Sequence, residues 1–394
     1  MSGGRRLGYL SGALRVSTKP DVGAHGPRSH VVGFSRALER GGWDVRPFIV
    51  GDTERAQRLA PAGRTEAVQG RWHRKLATDG VRIGAGLVNA RRAQQVLAGE
   101  VDVVYERFAS FQALGAPFQR RGIPWVLETS GPFFHEAKVE RERLVLQALA
   151  RRMELRAYLR CDVLVCVSEP LRAILVELGV PAERTFVLPN GVDPDRFALN
   201  GHTPSDTDEL TVGYVGSLLG WQGVETLVDA VGVARGRGVP VRAIIVGDGT
   251  NRPGLEARAH RAGVAAHVGF AGRQPPEAVP GLIAGFDLGF SGHLPLLAGR
   301  MYHSPLKLYE YLAMGKPLVA ADHPEARGLV EGAGAGFLFP PGDVEALAEV
   351  LARAAQEVRT LRGHAADVRA YVVAHHSWDR RVRDFSAELE RRGL

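Results

Sequence analysis

The chain has 394 residues, 45% hydrophobic and 24% charged, which is globular composition and enough length for two cores. Its formal charge is +7, yet the basic side chains are five Lys and 45 Arg scattered over many helical stretches with no aromatic-interleaved basic run, which argues against nucleic-acid binding. Met1–Arg6 lacks an apolar signal core and no 18-residue apolar run occurs, so a cytoplasmic chain is expected, at most peripheral to the inner face of a membrane.

Short β-rich runs alternate with helical stretches throughout, the pattern of open parallel sheets. In the first half, strands are predicted at Leu7–Leu10, Asp44–Val50, Val101–Tyr105, Trp125–Glu128, Val163–Val167 and Phe186–Leu188. A helix from Pro27 to Arg40 follows the first strand and stops at Gly41-Gly42. Phe134 to Leu159 reads as one long arginine-rich helical segment with Leu144, Leu146, Leu149, Met153 and Leu155 facing the core. Cys161 and Cys166 bracket a buried run, and their spacing suits neither a disulfide framework nor a metal site.

Asn200 to Glu209 is polar and bears Pro and Gly, as a linker does. The alternation then restarts. Strands are predicted at Thr211–Val215, Arg242–Val246, Val268–Phe270, Asp287–Phe290 and Pro317–Ala320, and helices at Val224–Arg235, Leu255–Ala262 and Pro276–Ala284. Helices dominate from Val344 onward. Two such sheets divided near residue 200 define two Rossmann-like lobes around a cleft, with ligands expected at the carboxyl ends of the strands. The division predicts an N-terminal acceptor-binding domain over 1–198, a C-terminal donor-binding domain over 199–375, and a last helix, 376–394, packing back on the first domain.

The most informative passage is Ser304 to Pro317. Ser304 suits an N-cap, Pro305 the first helical position, and Gly315 with Pro317 the end. Lys307 then falls in the first turn, where a cation opposes the helix dipole at a cost of about 0.3–1 kcal/mol. An anion on the helix N-terminus would reverse that cost. Glu310 lies three residues on, where its carboxylate could accept hydrogen bonds from sugar hydroxyls. The spacing fits a nucleotide-sugar site, and equally a solvated Lys–Glu pair on an ordinary amphipathic helix.

Five motifs in register extend this reading. Val187-Leu188-Pro189-Asn190-Gly191-Val192-Asp193, Gly213–Ser217, Ile245–Gly249, Phe270–Arg273 and Pro305–Pro317 together resemble the retaining GT-B glycosyltransferases of family four, the group 1 type. Tyr105–Phe108 and Leu127–Pro132 are similar to the N-terminal domain of one branch. The resemblance implies an α/β GT-B fold of two Rossmann-like domains. It implies that Glu310 binds ribose hydroxyls and that Ser304, Pro305, Leu306 and Lys307 supply diphosphate-binding groups. Gly216, Ser217, Gly247, Asp248 and Gly249 would line the donor pocket, and Arg273 would meet the base.

Several positions depart from the family pattern. The first Glu of its Glu-x7-Glu motif falls on Tyr302, and a basic pair falls on Ser217 and Gln222. Lys307 is then the natural diphosphate cation, with Arg300 and Arg28 behind it. A family His after the fourth strand aligns with Ser130, with His135 nearby as a substitute. His25 and Gly26 of the glycine-rich loop, Arg107, Ser130 and His135 would face the acceptor. Glu106 and Glu128 are candidate carboxylates by location only.

By this resemblance the chain should transfer a sugar, with retention and without a metal or other cofactor, from a UDP-sugar to a hydroxyl of a small molecule, lipid or polysaccharide. Lys307, Glu310 and Ser130 are its catalytic candidates, and a monomer or homodimer is expected. A sugar-nucleotide epimerase and a non-catalytic GT-B subunit remain as alternatives. A dinucleotide oxidoreductase is disfavoured because Gly247-Asp248-Gly249-Thr250-Asn251-Arg252 lacks the third glycine of that fingerprint.

Overall fold

The computed structural model describes residues 4–19, 26–54, 56, 72–139, 144–199, 208–297 and 299–394. His25 and most of the 200–209 linker lie outside these residues. Two parallel six-stranded sheets organise the chain. The first has the order β2-β1-β3-β4-β5-β6, with β1 at Arg6–Ser11, β2 at Asp44–Ile49, β3 at Val103–Arg107, β4 at Trp125–Thr129, β5 at Val163–Cys166 and β6 at Thr185–Val187. The second has the order β12-β11-β10-β7-β8-β9. Its strands are β7 (Leu210–Val215), β8 (Val241–Val246), β9 (Val268–Gly272), β10 (Leu288–Ser291), β11 (Leu318–Ala321) and β12 (Gly336–Phe339).

Every residue of β4, β5, β10 and β11 is buried, and all are apolar but Glu128 and Thr129 of β4 and Ser291 of β10, which lie toward the carboxyl ends. That is the signature of parallel strands covered by helices on both faces. Both thiols are fully buried, and burial pushes Cys166 up to about 12.

Three expectations need correction. The helical stretch Phe134–Leu159 is two helices, Phe133–Val139 and Gln147–Arg160. Glu154 of the second is the reason, since its carboxylate accepts the Phe133 and Phe134 amides at 2.8 and 3.0 Å and so caps the first. Leu149 is 39% exposed and does not face the core. The helix Trp72–Leu97 and strand β12 escaped the sequence reading, the former because Gly80, Gly84 and Gly86 interrupt its periodicity.

The chain crosses between the lobes twice, and the crossings are stapled together. Val192 N donates to the His376 carbonyl at 3.1 Å and Trp378 N to the Val192 carbonyl at 2.9 Å. Arg369 reaches the Pro194 carbonyl at 2.8 Å and also bonds the carbonyls of Phe197 and Ala313. Beyond the second crossing, the helix Trp378–Arg391 buries Trp378, Val382, Phe385 and Leu389 along one stripe. The stripe packs on Val31, Phe34 and Leu38 of the helix Gly26–Arg40, within the core of the first lobe.

Candidate functional site

Strand order in the second sheet reverses between β7 and β10, and the loops after these strands frame a crevice at their carboxyl ends. Gly223 closes the β7 loop with φ at +67°, and a Cβ there would collide with the Gly292 carbonyl of the β10 loop. Only glycine suits both demands. The β8 loop joins the same cluster. A side chain at Gly247 would strike the Gly216 carbonyl, and one at Gly249 the Leu218 carbonyl. Backbone bonds Gly216 N to Val246 O (3.0 Å) and Leu218 N to Asp248 O (3.1 Å) fasten the loops.

The polar residues expected in these loops are exposed to solvent. Asp248 is exposed, and its Oδ1 accepts the Gly249 amide at 2.8 Å, shaping its own turn. Ser217 is exposed, and its carbonyl takes the Tyr214 hydroxyl at 2.8 Å. Arg273 is exposed just after β9. Arg300 forms a two-pronged ion pair with Glu177 of the first lobe, at 2.7 and 2.8 Å, so its charge is already spent.

The expected capped helix runs Leu306–Ala313, with Pro305 rather than Ser304 at the N-cap. Ser304 does not cap because its buried hydroxyl serves the domain junction. It donates to Glu325 Oε1 at 2.6 Å and accepts the Asn190 amide at 3.0 Å. Burial lifts the Glu325 carboxyl to about 7. No side chain caps this helix among the described residues, and with the Leu308 N–H taken by the Pro305 carbonyl at 3.1 Å, the Leu306 and Lys307 N–H groups are the ones left for an anion. Leu306, in that turn, lies 3.9 Å from where a Cβ would sit on Gly26, so two helix starts face each other across the cleft.

Lys307 is 8% exposed, which removes the solvated-pair reading. Its ammonium donates to Gln222 Oε1 at 2.6 Å and lies 4.1 Å from the centroid of the Tyr214 ring. Burial lowers its pKa to about 7, against the attraction of Glu310. Burial raises Glu310 to about 7, against Arg196 and Lys307. Glu310 lines a narrow interdomain crevice with Ser29, Arg36, Asp193 and Arg196. Desolvation thus leaves both groups short of partners inside the protein.

A ring cluster that sequence reasoning missed lies near Lys307. The Trp221 ring lies 5.4 Å from His293 and 5.2 Å from His303. Burial and the nearby Lys307, His303 and His323 hold His293 neutral. Trp221 and His293 follow β7 and β10 by a few residues, so the position of the topological switch was the signal that could have found them.

In the first lobe, Glu128 is buried at the end of β4. It accepts Arg107 Nη1 at 2.7 Å and the Tyr105 hydroxyl at 2.5 Å, with His30 Nε2 at 3.1 Å. Arg107, expected at the acceptor, is therefore committed within the domain. Glu106 faces the opposite way and receives the Leu114 and Gly115 amides at 2.8 Å each, a structural role. Ser130 and His135 are half-buried beside the cleft, before and within the helix Phe133–Val139.

The profile of glycosyl transferases group 1 matches residues 195–362, and that of glycosyltransferase family 4 matches residues 24–196. The chain belongs to this family of GT-B proteins. It is 26% identical over 227 residues to the amylovoran biosynthesis glycosyltransferase AmsK of Erwinia amylovora, covering 57% of this chain and 54% of that one. The chain thus spans about half the length of this curated relative. Sucrose-phosphate synthase of Thermosynechococcus elongatus superposes with a TM-score of 0.73 at 18% identity, over 98% of each chain. Anabaena HepE in complex with UDP-glucose gives 0.65 at 21% identity, over 98% of this chain and 99% of that one. These likenesses establish the fold.

The burial of Lys307 has a consequence for stability. Between about pH 7 and its ordinary value near 10.5, Lys307 carries fewer protons folded than unfolded, so its contribution to stability rises with pH across that window. Lys307→Met should flatten the rise measured by urea unfolding at a series of pH values. A slope identical to the parent's would mean that the ammonium is solvated.

Proposed function

We propose that this chain is a retaining glycosyltransferase that moves a sugar from a UDP-sugar to an acceptor hydroxyl. The observation that carries the reading is the Lys307 ammonium. It is held by a neutral amide and a ring face at the open start of a helix, beside the switch-point crevice. An ammonium so placed, hydrogen-bonded to an amide rather than a carboxylate among the described residues, is poised for an external anion, and the Leu306 and Lys307 N–H groups lie next to it. The UDP-glucose complex of HepE supports a uridine diphosphate donor.

Departure of the diphosphate builds negative charge, and Lys307 with the helix N–H groups offsets it in a desolvated setting. Gln222 orients the ammonium, and Tyr214 stabilises it from its ring face. Glu310 accepts hydrogen bonds from the ribose hydroxyls. The acceptor enters between the helix starts at Gly26 and Leu306, with Ser130 and His135 on its side, and positioning across the cleft supplies most of its activation. The same face of the sugar is attacked, and the donor phosphate takes the acceptor proton. No metal is required, because the cationic group is built in.

Transfer from UDP-sugars to hydroxyl acceptors, followed by NMR, tests this reading. The product should keep the donor's anomeric configuration and turnover should survive EDTA; an inverted product or a loss restored by Mg²⁺ refutes those two parts. Lys307→Ala should lower transfer at least about a hundredfold, equivalent to about 2.7 kcal/mol of leaving-group stabilisation. A rate within threefold of the parent would place the phosphate elsewhere. Glu310→Gln should weaken donor binding by about 1.5–3 kcal/mol in calorimetry while leaving the fold intact, and unchanged affinity would remove Glu310 from the site.

A further inference from the structure

The segment that leads into the Lys307 helix is gripped by the opposite lobe. Ser168 Oγ donates to the Tyr302 carbonyl at 2.6 Å, and Asn190 bonds Ser304 through both its amide and its side chain. Tyr302 itself is fully buried and packs with the core residues of the first lobe. Within this grip one carboxylate reaches across the cleft. Glu136, on the helix Phe133–Val139, accepts the Tyr302 hydroxyl at 3.1 Å and has His303 Nε2 at 3.1 Å, both on Oε1. The loop below is shaped around it, since a Cβ on Gly131 would collide with Glu136 Oε1 and sit 2.8 Å from the Tyr302 ring.

Among the described residues, two polar atoms in the same cluster are buried without a hydrogen-bond partner: His303 Nδ1 and the indole Nε1 of Trp221, whose ring lies 5.2 Å from that of His303. With Nε2 donating to Glu136, His303 Nδ1 is an acceptor, whereas Trp221 Nε1 is a donor. A carboxylate, a ring nitrogen acceptor, an indole donor and two aromatic faces form a set suited to a polyhydroxylated ring. A hydroxyl both donates and accepts, and its C–H face packs on aromatic carbon. Tyr302 and His303 immediately precede the helix start where the diphosphate is placed. A sugar attached to that diphosphate would therefore fall within reach of Glu136.

We infer that Glu136, delivered from the N-terminal lobe, reads the hydroxyls of the transferred sugar, with Tyr302 and His303 fixing its carboxylate and Trp221 lining the same subsite. The inference rests on the proposed donor reaction. It makes recognition of the sugar, as distinct from the nucleotide, dependent on the two lobes being together, because the carboxylate and its two anchors come from different lobes.

Calorimetry with UDP, UDP-glucose, UDP-galactose and UDP-N-acetylglucosamine tests it. The parent should bind one UDP-sugar more tightly than UDP. Glu136→Gln should reduce that sugar-dependent gain at least about tenfold while keeping UDP affinity within twofold of the parent. Tyr302→Phe, which leaves the carboxylate but removes one anchor, should erode the same gain by a smaller factor and serves if Glu136→Gln folds poorly. Loss of UDP and UDP-sugar affinity in equal proportion would make Glu136 a structural clamp and overturn the inference. So would an undiminished sugar gain in the variant, or a parent that binds all four ligands equally. A parent that binds none of them overturns the donor reading itself, a result distinguishable from the others.

Discussion

A single desolvated ammonium organises the second lobe's face of the cleft. A primary amine inside a protein normally finds a carboxylate, because burying an unpaired charge is expensive. Lys307 instead receives an amide oxygen at 2.6 Å and a tyrosine ring at 4.1 Å. These partners stabilise the cation without neutralising it. One strand and the loop after it make that possible: Tyr214 comes from β7, Gln222 from the loop, and Gly216 of the same loop leaves room, a Cβ there falling 3.1 Å from the Lys307 Nζ. Tyr311, one turn further along the helix, ties it to the sheet by accepting the Val215 amide at 2.7 Å.

Much of the architecture was legible because parallel sheets leave a strong record. Continuous apolar runs such as Val163–Cys166 and Leu318–Ala321 announce strands buried on both faces. The helix at Lys307 was equally plain from Pro305 and Gly315. What stayed hidden follows from the same physics. Gly80, Gly84 and Gly86 disguise the helix Trp72–Leu97, since helical glycine costs about 1 kcal/mol and reads as a break. Ser304 has the chemistry of a cap, but a buried carboxylate and a backbone amide from the other lobe compete for its hydroxyl and win.

The site was half legible for a related reason. Lys307 and Glu310 sit on one element, so their spacing in the chain approximates their spacing in space. Gln222 read as a missing cation. Its role as the lysine's acceptor depends on the approach of a helix 85 residues away. Trp221 and His293 are brought together by the reversal of strand order, a signal that becomes usable only once the order of β7 and β10 is known. Glu136 is harder still, because its partners belong to a different domain. Local propensity records what an element does for itself, and the contacts that make a cleft are the ones it omits.

The groups proposed to meet the sugar come from both lobes. The connection between lobes is stapled by Arg369 and the Val192–Trp378 bonds. The groups proposed to meet a ligand include ones the described residues leave incompletely satisfied: Lys307 and Glu310, both shifted by burial against their mutual attraction, and Trp221 and His303, each with a ring nitrogen that has no partner among the described residues. Each is a small destabilisation held in place by a well-packed surrounding core. A ligand carrying an anionic group and adjacent hydroxyls relieves several of them together, so binding energy would come from completing contacts the fold has left open.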